Sequence, residues 1–169
     1  MKKQLTTGLI VVLLLAFNAC QQTVAPIDKE QEKEAIKTVI NTLLDAHARS
    51  DSNVWLGQWV QEPYVFISAA DSSGYFYHKG YDVIAEGYSG GWPDSLKLDE
   101  PENLKLVASN FDIKVADSLA RVVFDIDWSF EEPDTIYRWK SFENYSMEKQ
   151  SDGWKVAAIS AVNVSSYGE

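Results

Sequence analysis

Ser141, Glu143 and Tyr145 alternate along "SFENY", so a β-strand through this stretch puts all three on one face. A hydroxyl, a carboxyl and a phenol side by side form a hydrogen-bonding set that can hold a ligand or move a proton. The carboxylate is the demanding member. Burying it without a partner is costly, so Glu143 must meet water, a donor or a ligand; a solvated strand end is the alternative. His47 is the second candidate. It extends the apolar series Ile36, Val39, Ile40, Leu43 and Leu44 at helical spacing, as a base in a cavity or as a packed, hydrogen-bonded core histidine. Glu143 and His47 are therefore the two candidate catalytic groups. His78, near a strand end just before Gly80, reads as a surface or turn residue.

The tryptophans come next. Trp55, Trp59, Trp92, Trp128 and Trp139, with Tyr145, could wall an apolar ligand pocket, and each also fits plain core packing. Trp92 lies in "GYSGGWPD", a glycine-rich loop suited to a lid or an interface. The two histidines show no ligand spacing with carboxylates, so no metal is expected. Nucleophilic triads, phosphate loops and nucleotide motifs are absent, and no cofactor is expected.

These groups need elements to hold them. Asp28 is a helix cap with acidic residues after it, and the apolar periodicity predicts an amphipathic helix ending near Arg49. Asp51 or Ser52 caps a second, shorter helix carrying Val54, Trp55, Leu56 and Trp59 and stopped by Pro63. "YVFIS" (64–68), "DSSG" and "YFYHK" (75–79) read as strand, turn and strand. A short helix follows Gly80, with Val83, Ile84 and Tyr88 facing inward. Long antiparallel strands are predicted over about 104–116, 119–131, 136–149 and 154–165, separated by "ADS", "EEPDT" and "SDG".

One hairpin fixes its own register. If Glu131 pairs with Ile136, then Trp128 faces Trp139, Phe130 faces Tyr137 and Asp127 faces Lys140. One face gains stacked aromatics and the other an opposite-charge pair; a slip by one residue spoils both. This register puts Glu143 on the aromatic face. Asp125, Asp127, Arg138 and Lys140 form an ordinary charged face on the other side.

The N-terminus carries an address. Lys2 and Lys3 precede an apolar run from Leu9 to Phe17, too short to span a bilayer. A basic start, a short apolar core and Ala19 make a secretory signal peptide. With Cys20 next, the arrangement resembles a bacterial lipoprotein signal, although Phe17 stands where such signals usually carry Leu. The resemblance implies a signal peptide over 1–19, a lipidated Cys20, a tether over 20–29 and a domain over 30–169. Lipidation also accounts for a lone cysteine in an exported chain. Gln21 and Gln22, with no acidic residue directly after Cys20, imply the outer membrane by resemblance to lipoprotein sorting.

Cleavage after residue 19 of 169 leaves 150 residues, enough for one domain. The net charge of −10 becomes about −12 without the two lysines. Such a domain does not seek nucleic acid, and anionic lipid heads repel it, so the acyl chains must do the anchoring.

The order of elements and three motifs carry a family resemblance. "LLDAHARSDSNVWLGQWVQE" is similar to a helix end, a polar turn and an aromatic-bearing helix; "YHKGYDVIAEGY" to a G-x-x-x-I strand-to-helix step; "SDGWKVAAIS" to a closing turn and strand. Over about residues 30–165 the chain resembles the NTF2-like superfamily, in its SnoaL-like and ketosteroid-isomerase-like branch. The resemblance implies an α+β cone, with N-terminal helices packed on a strongly curved, mostly antiparallel sheet around a pocket. That fold hosts isomerases, dehydratases, hydrolases, binding modules and dimerisation domains. In ketosteroid isomerase relatives a Tyr on the first helix and an Asp on the first strand act; the matching positions here are Leu43 and Ile67, which move no proton. Nor does the last strand, "WKVAAISAVNVS", carry the His of many relatives. The expected function is thus a lipid-anchored module that binds a small, partly apolar or aromatic ligand, or associates through its sheet as a homodimer. The alternative is a SnoaL-like isomerase, dehydratase or hydrolase using Glu143 or His47.

Overall fold

The Asp28 carboxylate accepts hydrogen bonds from the backbone N–H groups of Glu30 and Gln31 and starts helix α1 (Lys29–Ala48). Glu30 and Glu32 in its first turn complement the helix dipole. The chain is described from a computed structural model that covers residues 28–89, 103–132 and 134–164. Ile36, Ile40, Leu43 and Leu44 are the buried stripe of α1. Ser50 takes a left-handed φ of 53°, which turns the chain so that Asp51 caps helix α2 (Ser52–Gly57) through the Val54 N–H. This helix stops well before Pro63. Val60 N–H donates to the Val156 carbonyl and Val156 N–H to the Gln58 carbonyl, so the backbone leaves the helix to bridge the sheet.

Strand β1 (Phe66–Ala70) begins two residues later than expected, because Val65 N–H closes a turn onto the Glu62 carbonyl. It is joined to β2 (Tyr75–Lys79) by a turn in which Asp71 accepts from the Ser73 and Gly74 N–H groups. Gly80, at φ 96°, then enters helix α3 (Tyr81–Ser89). Val83 does not face inward, contrary to expectation: it is 48% exposed while Ile84 is buried. Adjacent helical residues point about 100° apart, so only one can sit at the centre of the buried stripe, and Tyr88 shares the side of Ile84.

The four long strands are β3 (Lys105–Ala116), β4 (Leu119–Glu132), β5 (Thr135–Gln150) and β6 (Gly153–Val164), each within about two residues of its expected span. The sheet order is β2-β1-β6-β5-β4-β3, antiparallel except for β1 beside β6. The β4–β5 register is the one the side chains dictate. Trp128 stacks on Trp139 with ring centroids 5.4 Å apart, Phe130 on Tyr137 at 4.6 Å, and Lys140 Nζ lies 3.1 Å from Asp127 Oδ1.

Register shifts at Ser109/Asp112 and at Ser146/Met147 bend the sheet around α1. In the first, Asn110 adopts φ 56° and donates to Asp125. The inner face supplies Val122, Phe124, Ile126, Met147, Val156 and Ile159 to the core under α1. Each such side chain contributes about 1.5–3 kcal/mol by leaving water. Glu32 ties α1 to the last hairpin, accepting from Lys149 Nζ and from Trp154 Nε1 at 2.7 Å. Among the described residues no helix is long and apolar enough to cross a membrane.

Candidate functional site

Ser141, Glu143, Tyr145 and Met147 point inward from β5 and are buried. The residue between the first two, Phe142, points outward and is 48% exposed. Local polarity alone would choose the reverse. The stacked pairs on β4–β5 and the Tyr145–Met147 side of the strand fix the pleat, and Glu143 is carried inside with them. It is only 3% exposed and is the one carboxylate buried to that degree among the described residues.

A directional hydrogen-bond chain reaches it. The Trp128 indole Nε1–H, which can only donate, gives its proton to Ser141 Oγ at 2.8 Å. Ser141 Oγ–H in turn donates to Glu143 Oε1 at 2.5 Å. Burial pushes the Glu143 carboxyl up to about 7, and the serine bond opposes that shift in part. Its cross-strand partners are Phe124 and Ala161, which carry no charge. Tyr145 beside it is held well above the usual phenol range by burial, then by the charges of Glu143 and Tyr88.

Three helices close over this face. From α1, His47 sets its ring edge-on to Trp128 at 5.4 Å, and burial lowers its pKa to about 4. From α2, Trp55 stacks on Tyr88 of α3 at 4.0 Å and lies 5.1 Å from Trp59. Burial likewise raises the Tyr88 phenol. Trp55 and Trp59 are 2% and 1% exposed, and neither indole N–H has a hydrogen-bond partner. An unpaired buried N–H is costly, and the Trp55 ring that carries one of them is the ring stacked on Tyr88.

One chain of contact reaches Glu143, from His47 through Trp128 to Ser141; Tyr145 follows Glu143 on the same face of β5 and sets its ring edge-on to Phe124. Trp139 stands one ring farther out, stacked on Trp128 and edge-on to Phe130. His78 is exposed on β2. Leu43 and Ile67 are buried apolar core. Trp92 and Cys20 lie outside the described residues. Among the described residues no group of three or more His, Cys, Asp or Glu is placed to hold a metal ion. A surface groove of about 800 Å³ beside Gly57, Trp59, Tyr64 and Lys155 does not include Glu143, Ser141 or His47.

What this arrangement can do follows from its charges. Every titratable group in it is pushed by burial toward its neutral form, in a wall of aromatic rings. Through its one carboxyl group it can exchange a hydrogen bond or a proton. The alternation of "SFENY" signals Glu143 and its neighbours. The stacking of Trp55 on Tyr88 and the bond from Trp128 to Ser141 have no sequence signal, because each joins separate elements.

No protein-family model matches the sequence, and no curated protein matches it. Solved structures do. An NTF2-like protein with a cystatin-like fold from Novosphingobium aromaticivorans is 14% identical, with a TM-score of 0.66 over 86% of this chain and 90% of that one. The hexachlorocyclohexane dehydrochlorinase LinA-type3 from Novosphingobium barchaimii is 10% identical, with a TM-score of 0.61 over 84% and 92%. The CaMKII hub of S. rosetta is 15% identical, with a TM-score of 0.58 over 78% and 95%. At such identities the likeness is one of fold. The fold is the NTF2-like cone, helices at the N-terminus against a curved six-stranded sheet.

Proposed function

We propose that this chain is a ligand-binding NTF2-like module, tethered to a bacterial envelope membrane through lipidated Cys20, with Glu143 as the polar head of its site. The observation that carries this reading is the burial of Glu143 among Trp128, Tyr145 and Phe124, with a neutral serine as its hydrogen-bond donor. A buried carboxyl without a counter-charge is expensive to keep for packing alone. His47, Trp55, Trp59, Tyr88, Trp128 and Tyr145 supply the apolar and aromatic surroundings of a small, partly apolar ligand, and Trp139 its outer wall. Trp92, from its loop, is the candidate lid.

Native mass spectrometry of the full chain, extracted from its source membranes in mild detergent, tests this reading. The expected result is a bound small molecule that is lost in the Trp128→Ala variant. A folded protein carrying no adduct after gentle extraction contradicts it. The anchor is tested separately: labelled palmitate should enter the wild type and not Cys20→Ala. Fractionation should place the labelled protein in the outer membrane.

A second reading is favoured by one observation. A carboxyl with a pKa of about 7 is matched to proton transfer near neutrality, so Glu143 could serve as the base of an isomerase, dehydratase or hydrolase. One protein of similar fold is a dehydrochlorinase. His47, at about 4, is neutral at pH 7, with one ring N–H to donate and one nitrogen to accept a proton. Turnover abolished in Glu143→Gln with binding retained would select the enzyme reading.

Self-association belongs to the same proposal. The outer sheet face exposes Phe142 and Val162 as cross-strand partners, with Val164 and Tyr77 nearby on that face. Exposed apolar side chains grouped in this way suit a second copy of the chain, giving a homodimer back to back.

A further inference from the structure

We propose that the groove between the α2–β1 connection and the β5–β6 turn is a second binding site, separate from Glu143, that takes a neutral saccharide. Its volume of about 800 Å³ is that of a ligand site, with room for a short oligosaccharide. Paired backbone builds it. On the floor, Val60 N–H donates to the Val156 carbonyl and Val156 N–H to the Gln58 carbonyl, while Lys155 Nζ bonds to the Gly57 carbonyl at 2.7 Å. One wall is the turn around Pro63, where the Val65 and Tyr81 N–H groups both donate to the Glu62 carbonyl. The other is the turn at Ser151 and Asp152, closed by the pairing of Gln150 with Gly153. The Tyr64 hydroxyl links the two sides by donating to Glu148 at 2.7 Å. A site tied at floor and rim has little ordering left to do when a ligand arrives.

The lining chooses the chemistry. Tyr64 is half exposed, and its bond to Glu148 fixes the ring, so it offers an aromatic surface in a set position. A π face is electron-rich and attracts the weakly positive C–H bonds along one side of a pyranose ring. Around it stand Gln61, Gln150 and Ser151, all exposed and each able both to donate and to accept. Sugar hydroxyls have the same dual character and pair with such groups in either direction. The charges argue against the alternatives. Lys155 is the one cation lining the groove among the described residues, and it is engaged by Asp152 at 3.2 Å and by the Gly57 carbonyl. With Glu62 and Glu148 beside Tyr64, an anion would meet net negative charge. Glu148 already accepts from Tyr64 and Gln150, and Asp152 is paired with Lys155, which weakens the draw on a cation. An apolar body would strip water from amides and carboxylates and replace none of its hydrogen bonds.

Saturation-transfer NMR of the full chain, in a detergent without a sugar head group, tests this. The probes are cellobiose, maltose and N,N′-diacetylchitobiose as neutral disaccharides, chitobiose as a cation and lactobionate as an anion. At least one neutral disaccharide should bind at least about fivefold more tightly than either ion, with transfer strongest at its ring C–H protons. Tyr64→Ala should weaken that binding about tenfold, and Tyr64→Phe, which keeps the ring, should hold it within about threefold. Tyr64→Leu keeps bulk without a π face; it should fall as alanine does, and it decides the matter if the alanine variant does not fold. Tyr75→Ala removes an exposed ring of β2 outside the groove and should change nothing. Tighter binding of either ion, transfer to none of the neutral sugars, or full binding by a folded Tyr64→Leu protein overturns the proposal. Glu143 lies outside the groove, so the fate of its own site does not decide this one.

Discussion

Ser141 Oγ donates to Glu143 Oε1 at 2.5 Å across one pleat of the same strand, inside a wall of aromatic rings. Burial makes the carboxyl a measurable liability, which the serine bond offsets only in part. Its pKa rises from an ordinary 4.5 to about 7, so between those values the folded protein holds a proton that the unfolded chain has released. Stability must therefore fall as pH rises through that window, and stay lower above it. Glu143→Gln removes the penalty. Urea denaturation at about pH 8 should show the variant more stable by up to about 3 kcal/mol, with little difference near pH 4. Equal stability of the two proteins at the higher pH would mean that the carboxyl is solvated.

His47 bears on the same curve with the opposite sign. Its pKa is lowered from 6.5 to about 4, so the folded state binds fewer protons than the unfolded chain in that range. Stability from this group rises with pH between about 4 and 6.5. The two slopes oppose each other between about pH 4.5 and 6.5, and each should become visible when the other group is removed. Relative to wild type, His47→Phe should be stabilised as pH falls below 6.5. Glu143→Gln should instead gain stability as pH rises above 4.5. Parallel stability profiles for the three proteins would refute the shared burial of these groups.

On the outer face the expected result concerns assembly. Phe142 is half exposed opposite Val162, so Phe142→Lys should cost no more than about 0.5 kcal/mol in the folded chain. It should nevertheless shift the mass measured by sedimentation from dimer to monomer. A wild-type monomer at micromolar concentration would end the back-to-back proposal.

The cap at Asp51 links local structure to the site, because it begins the helix that holds Trp55 against Tyr88. Asp51→Ala should lower stability by about 1 kcal/mol. Asp51→Asn should restore most of it, as read from the denaturation midpoint. If alanine has no effect, the cap does not hold α2.

Much of this was written in periodicity. The alternation Val122, Phe124, Ile126, Trp128 and the self-consistent pairing of Trp128 with Trp139 determine the hairpin, because a period of two leaves a single register with both faces satisfied. The same pairing placed Glu143 indoors. What stayed hidden depends on residues distant in the chain. Trp59 leaves its helix because Val156 offers backbone partners. Glu32 is held by Lys149 and Trp154 of the last hairpin. Val83 faces out because Ile84 takes the one central position on α3. None of these has a local signal, since each is a competition settled by packing.

Difference infrared spectroscopy of the full chain against Glu143→Gln, followed through pH, tests the central claim most directly. The account expects a protonated carboxyl band, absent from the variant, that persists above the ordinary range of a glutamic acid and disappears with a midpoint near 7. A band that is gone by about pH 5 would contradict it, because Glu143 would then be facing water.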